Sequence, residues 1–258
     1  MASTAHAPSG PQRQRRGRNT ALTVALVVIV ALVAALIGGE LYVRHNVKQC
    51  MADQFESQLG SQVDVGLSAK PVLLQAVDKK VPYITITSDD SSFGPAEGMH
   101  VSARVNDIDL TTSDTSGGTV GSSTADVDWS TDGIAATIAA QPFGTLVSGV
   151  TSDASAGTLQ FKVLGGLAAL TVKPTVSGGL VDVQTVGAEV LGLGLPTDLV
   201  SGIVDILTAS LQEFPLGMTA QSLTVTDSGL ELSLAGGAYT LPAPEPGAQA
   251  PEGCSLLT

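Results

Sequence analysis

The sequence predicts an α+β domain built on an antiparallel sheet, preceded by one N-terminal transmembrane helix. Two observations carry that expectation. Residues 19–39 read NTALTVALVVIVALVAALIGG, a run without a charged residue or a proline. Beyond it, short alternating segments follow one another through Gly- and Ser-rich turns, with a few helical segments between them. Strands joined mainly by turns argue for antiparallel pairing rather than for crossover units.

The apolar run comes first. Ala21 to Gly39 makes roughly 28 Å of helix at about 1.5 Å per residue, close to the hydrocarbon thickness of a bilayer. Arg13, Arg15, Arg16 and Arg18 precede it. Under the positive-inside rule they stay in the cytoplasm, and the rest of the chain lies outside. A cleaved signal peptide is the competing reading, but its apolar region is usually about 7–15 residues long. The expected organisation is a disordered basic cytoplasmic tail over 1–18, a single-pass transmembrane helix over 19–39, an extracytoplasmic domain over 40–240 and a Pro/Gly-rich tail over 241–258.

Next, Leu41, Val47, Met51, Phe55 and Leu59 recur at helical spacing up to Gly60. QVDVGLSA (62–69) alternates as a strand, and PVLLQAVDKK starts a short helix at Pro71. VPYITITSDD and HVSARVNDIDL alternate again, TTSDTSGGTVGSS reads as a loop, and TADVDWS as a strand. TDGIAATIAA offers Thr131 as an N-cap. In QPFGTLVSGV, Phe143, Leu146, Val147 and Val150 fall at i, i+3, i+4 and i+7, which predicts a second short helix. GTLQFKVL, GLAALTVKPTV and GLVDVQTVGAEV form a three-strand meander punctuated by glycines. LPTDLVSGIVDILTASLQEFP is the most periodic helix, with Thr197 as cap, Pro215 as stop, and Leu199, Ile203, Ile206, Leu207 and Leu211 in one stripe. A hairpin, AQSLTVT-DSG-LELSLAGG, closes the domain.

Charge excludes some partners. Only Glu40 among the 24 acidic residues precedes Cys50, and six of the twelve basic ones lie at or before Lys48. The exported part thus has six basic against 23 acidic residues, a formal charge of −17. That argues against nucleic acid and against adhesion to anionic headgroups through a broad basic face. The two cysteines, Cys50 and Cys254, bracket the domain. In an oxidising compartment they are expected to pair, the alternative being two free thiols.

Chemistry is scarce. There is no GxSxG elbow, P-loop, HExxH or paired CxxC, and nothing requires a metal or a cofactor. Ser68 and Lys70 only superficially match a Ser/Lys dyad, and His45 and His100 lack partner motifs. Asp89–Asp90, Asp107/Asp109 and Asp126/Asp128/Asp132 offer oxygen ligands for calcium, but a solvated sheet face gives the same pattern. No catalytic residue is assigned, and an enzyme is not expected. What remains is aliphatic surface with little aromatic bulk. Its ordinary use is close packing. Its other use is a groove for acyl chains, each buried CH₂ contributing about 0.8 kcal/mol.

The succession SQVDVGLSAKPVLLQAVDKKVPYITIT, HVSARVNDIDL and EFPLGMTAQSLTVTDSGLELSLAGG resembles the LmeA-like family of actinobacterial cell-envelope phospholipid-binding proteins. The residues carrying the resemblance are Val63, Val65, Pro71, Leu73 or Leu74 and Gln75 early on. Later come Pro215, Gly217, Met218, Val225, Gly229 and Leu230. The resemblance covers roughly residues 40–240. It implies a strongly curved antiparallel sheet wrapped around helices, a tubular lipid-binding domain, and phospholipid as partner. It also implies work beside proteins that build envelope glycolipids.

The expected function is therefore an anchored phospholipid-binding, or lipid-transferring, protein of the cell envelope. Its groove would be lined by Phe143, Leu146, Val147, Val150, Leu199, Ile203, Ile206, Leu207 and Leu211. A solid-cored envelope scaffold is the alternative, and an extracellular hydrolase acting through Ser68 or His100 a third.

Overall fold

The computed structural model describes residues 15–59, 61–88, 92–93, 96–190, 196–212 and 214–243. Its elements run α1 (Arg15–Leu59), β1 (Val63–Leu67), α2 (Val72–Asp78), β2 (Lys80–Ser88), β3 (Ser92–Phe93), β4 (Ala96–Glu97) and β5 (Met99–Asp109). Then follow β6 (Gly118–Val120), β7 (Ser122–Ser130), α3 (Thr131–Ala139), β8 (Val147–Asp153), β9 (Thr158–Val163), β10 (Ala168–Ser177) and β11 (Leu180–Val190). The chain ends with α4 (Thr197–Ser210), β12 (Thr219–Thr226), β13 (Gly229–Gly236) and β14 (Tyr239–Leu241). Two compact units divide it, Met1–Val43 and Arg44–Thr258.

The first unit is the helical part up to Val43. Among the described residues α1 is the one helix long and apolar enough to cross a membrane. Its large side chains from Leu26 to Ile37 are exposed, as an all-round apolar helix requires when lipid is its solvent. The helix begins at Arg15, inside the stretch expected to be a tail, and runs without a break through Gly38 and Gly39. The remainder of that tail lies outside the described residues.

The second unit is α+β. An eight-stranded antiparallel sheet runs β1-β2-β5-β7-β13-β12, with β6 bridging β5 to β14. A four-stranded antiparallel sheet runs β11-β10-β9-β8, and β3 pairs β4. Alternation does its expected work in β7, where Ala125, Val127 and Trp129 are buried while Thr124, Asp126 and Asp128 face solvent. The two larger sheets are both open, and closure into a tube is not among the pairings of the described strands.

One hydrophobic core serves both sheets and both short-range helices. It joins Val127 and Trp129 of β7, Ile134 and Ile138 of α3, Phe161 of β9, Leu170 and Val172 of β10, Ile203 and Leu207 of α4, and Leu230 and Leu232 of β13. A smaller cluster of Val105, Ile108 and Val120, with Tyr239 and Leu241 against it, holds β6 and β14 in place. Both strands escape the sequence reading, β6 inside an expected loop and β14 at the edge of the expected tail. Each is three residues long and too short for a periodicity to show.

Three local expectations are corrected. The stripe Phe143–Val150 is not a helix: a 3-10 turn at Gly144–Leu146 leads directly into β8. Gly144 packs so closely on the end of α3 that an added Cβ would lie 2.4 Å from the Ile138 carbonyl oxygen. Val, Ser, Gly and Thr then favour the extended chain, which pairs with β9. The α3 cap is Ser130, whose Oγ accepts from the Gly133 N–H at 3.0 Å, with Thr131 already inside the helix. Thr197 likewise opens α4 from within, the capping position being held by Pro196.

Candidate lipid-binding site

Helix α4 presents its stripe to the interior. Leu199, Ile203, Leu207 and Leu211 are at most 3 % exposed, and Val150 on β8 is buried with them. A passage wide enough for an acyl chain also admits water and would leave accessible area on its walls. These five side chains are therefore packed against protein atoms. Phe143 and Val147 are half-buried and packed against this core, Ile206 is half-buried on α4, and Leu146 is exposed. The structure thus brings the two predicted stripes together: a Cβ on Gly202 would meet Phe143 Cε1 at 2.7 Å, so the missing side chain makes room for the ring.

The opening beside this core lies at the seam of the two sheets. A groove of about 420 Å³ is lined by Pro174, Thr175 and Val176 of β10, by Leu223 and Val225 of β12, and by Ala154 and Gly157 of the β8–β9 turn. Its volume falls in the range of small-molecule sites, about 300–1,000 Å³. Strand pairing explains why it is there. β9 accompanies β10 only from Ala168 to Val172, so beyond Val172 β10 is paired with β11 alone. Pro174 is tolerated at this point because a strand with a free side needs no donor there.

The groove adjoins the α4 stripe. Val176 pairs with Val181 in the β10–β11 register, and the Val181 carbonyl accepts from Gln212 Nε2 at 2.7 Å, one residue past Leu211. Lys173, also lining the groove, is exposed. In the β8–β9 turn the Asp153 carboxylate is engaged by the turn it caps, accepting from the Ser155 N–H, the Ser155 hydroxyl and the Ala156 N–H. The Ser155 hydroxyl and these backbone donors hold its carboxyl below the usual range. The site is thus a trough with aliphatic walls, interrupted by Thr175, Ser222 and Thr224, and with the exposed Lys173 at its rim. Sequence reasoning passed over it. A proline and a lysine in the middle of a strand run were the available signal.

The other candidate residues are placed elsewhere. Ser68 Oγ accepts from Gln75 Nε2 at 3.2 Å, while Lys70 Nζ is bound to Asp78 and to the Lys80 carbonyl, so they do not form a dyad. His100 stands opposite Asp128 in the β5–β7 register. Asp107, with φ 54°, and Asp109 stay outward on either side of the buried Ile108. Asp126 accepts from Ser233 on the solvent face. Asp89 and Asp90 lie outside the described residues. Cys50 is buried on α1, and its expected partner Cys254 lies outside the described residues.

Residues 34–235 match the model of the LmeA-like phospholipid-binding family, so the chain belongs to that family. Uncharacterized proteins of Mycobacterium tuberculosis H37Rv and Mycobacterium bovis are 31% identical to it over 238 residues. The alignment takes in 89% of this chain and 68% of each relative. No solved structure matches it.

Proposed function

We propose that the protein binds phospholipid outside the cytoplasm while tethered by its N-terminal helix, and that it holds or hands on lipid for building the cell envelope. The observation carrying this reading is membership of a phospholipid-binding family over most of the chain, in a protein whose described residues include one helix fit to cross a membrane. Acyl chains enter at the groove, against Val176, Leu223 and Val225. They extend along the adjoining α4 stripe, Leu199, Ile203, Leu207 and Leu211, as its packed side chains part. Phe143, Leu146, Val147, Val150 and Ile206 form the flank of that path, and Lys173 meets the headgroup phosphate. No step of this function needs a catalytic group. Cys50 and Cys254 are paired in the exported domain.

The test is native mass spectrometry of the full chain released gently from its membrane, with phospholipids bearing photoreactive acyl chains added in parallel. Retained phospholipid and crosslinks on the peptides carrying Val176, Leu223 and Leu211 support the reading. A domain that carries no phospholipid and takes no crosslink overturns it and leaves a tethered envelope scaffold. A peptide map without reductant tests the cysteine pair: two separately alkylated peptides would remove it.

A further inference from the structure

Helix α2 is built the wrong way round for a soluble surface. Its buried side chains are Val72 and Gln75, and ahead of the ion-paired Asp78 it carries aliphatic ones outward: Leu73 is 40 % exposed, Leu74 55 % and Val77 82 %. Gln75 is no accident of the core, because its Nε2 donates to Ser68 Oγ and, at 2.6 Å, to the Lys70 carbonyl. The polar face is thus spent on fastening the helix, leaving the apolar face outward. Leu110 extends the patch, being 43 % exposed with its N–H donating to the Lys79 carbonyl.

Charge gathers at the same place. Lys70, Lys79 and Lys80 are three of the six basic residues that follow Cys50, in a stretch whose charge is −17. Lys70 is paired with Asp78, and Lys80 stands opposite Asp109 in the β2–β5 register. Lys79, which ends the helix in the left-handed conformation, is exposed. The entry to α2 is also fastened to α1: Arg44 Nη2 donates to the carbonyls of Leu67 and Ser68 at 2.7 and 2.6 Å. Arg44 is five residues past Gly39, the end of the apolar run.

We propose that α2 is a membrane-contact element, its outward Leu73, Leu74 and Val77 dipping into the outer leaflet of the membrane that holds the anchor, with Lys79 and Lys80 at anionic headgroups. The occupant is a lipid surface because aliphatic side chains rimmed by lysine match an interface rich in anionic lipid. The acidic remainder of the domain is repelled by the same surface, so one end of the domain is selected. The contact is independent of the groove and of what the groove binds.

The test uses the full chain reconstituted into vesicles of equimolar phosphatidylglycerol and phosphatidylcholine, the latter with brominated acyl chains that quench tryptophan. The native Trp129 is 1 % exposed and gives a constant background. Val77→Trp is expected to lose most of its added emission and shift to the blue, whereas Leu180→Trp, at another exposed site, keeps its emission. Lys79→Glu with Lys80→Glu should weaken the quenching of Val77→Trp. The proposal is overturned if Val77→Trp is quenched no more than Leu180→Trp. It is also overturned if Val77→Trp is blue-shifted in the vesicles yet not quenched, which would mean that a protein segment covers the patch. Circular dichroism of each variant separates misfolding from lost contact, and Leu74→Trp repeats the measurement if Val77→Trp unfolds. Bound phospholipid measured on the same samples reports the groove separately, so loss of one leaves the other standing.

Discussion

The ring of Phe143 occupies the space that a side chain at Gly202 would take, with Cε1 2.7 Å and Cζ 2.9 Å from where a Cβ would stand. This contact locks the turn after α3 against the exposed-to-buried boundary of α4. Gly202→Ala gains helix propensity of up to about 1 kcal/mol and forces an overpacking cost of about 1–3 kcal/mol. A net fall in thermal midpoint is expected. Phe143→Ala removes the obstacle, so the double variant should lose less stability than the two single losses together. Strict additivity in denaturant titrations would show that the two residues do not share this space.

At the start of α3 the cap is Ser130, with Thr131 inside the first turn. Ser130→Ala orphans the Gly133 N–H and should cost about 1 kcal/mol. Thr131→Ala makes no such change and should shift the midpoint far less. The opposite ranking would return the cap to Thr131.

That one-residue difference shows where sequence reasoning stops. Long periodic signals resolve well: the strands around Val101–Val105 and Leu159–Val163, the α4 stripe and the last hairpin all stand where their spacing puts them. The Phe143–Val150 pattern fails because four apolar residues at helical intervals can equally be two turn residues and two on a strand. The pairing partner β9, far weaker as a local signal than as a contact, decides between them. The groove was illegible for a related reason. It exists because β9 ends before β10 does, and strand ends are set by register rather than by any motif.

Lys70 and Asp78 form an exposed ion pair across α2. The hydrogen bond from Lys70, then the Lys80 backbone N–H, holds the Asp78 carboxyl below its ordinary value. A carboxyl depressed in the folded state contributes stability that is present above its unfolded pKa and lost as pH falls through the folded one. Carboxyl carbon NMR should therefore show Asp78 titrating below an ordinary aspartate. Lys70→Ala should bring it back up, while Asp109, held low by the Thr111 hydroxyl and backbone N–H, stays low. No movement of Asp78 in that variant would place the cause elsewhere.

Filling the groove tests whether acyl chains enter at the seam. Leu223 is half-buried on its wall and Val176 faces it from the other sheet, so a larger side chain at either has open volume to occupy. Neither change needs a core side chain to move, which keeps the stability cost of Leu223→Trp small beside the 1–3 kcal/mol typical of overpacking a closed core. If the seam is the entrance, Leu223→Trp and Val176→Trp lower the phospholipid retained per protein while the thermal midpoint holds. Lys173→Glu, placing an anion at the rim, lowers it further for anionic lipids than for zwitterionic ones. Unchanged retention in both tryptophan variants would mean that lipid reaches the α4 stripe by another way, the half-exposed Phe143 and Ile206 flank being the next place to block.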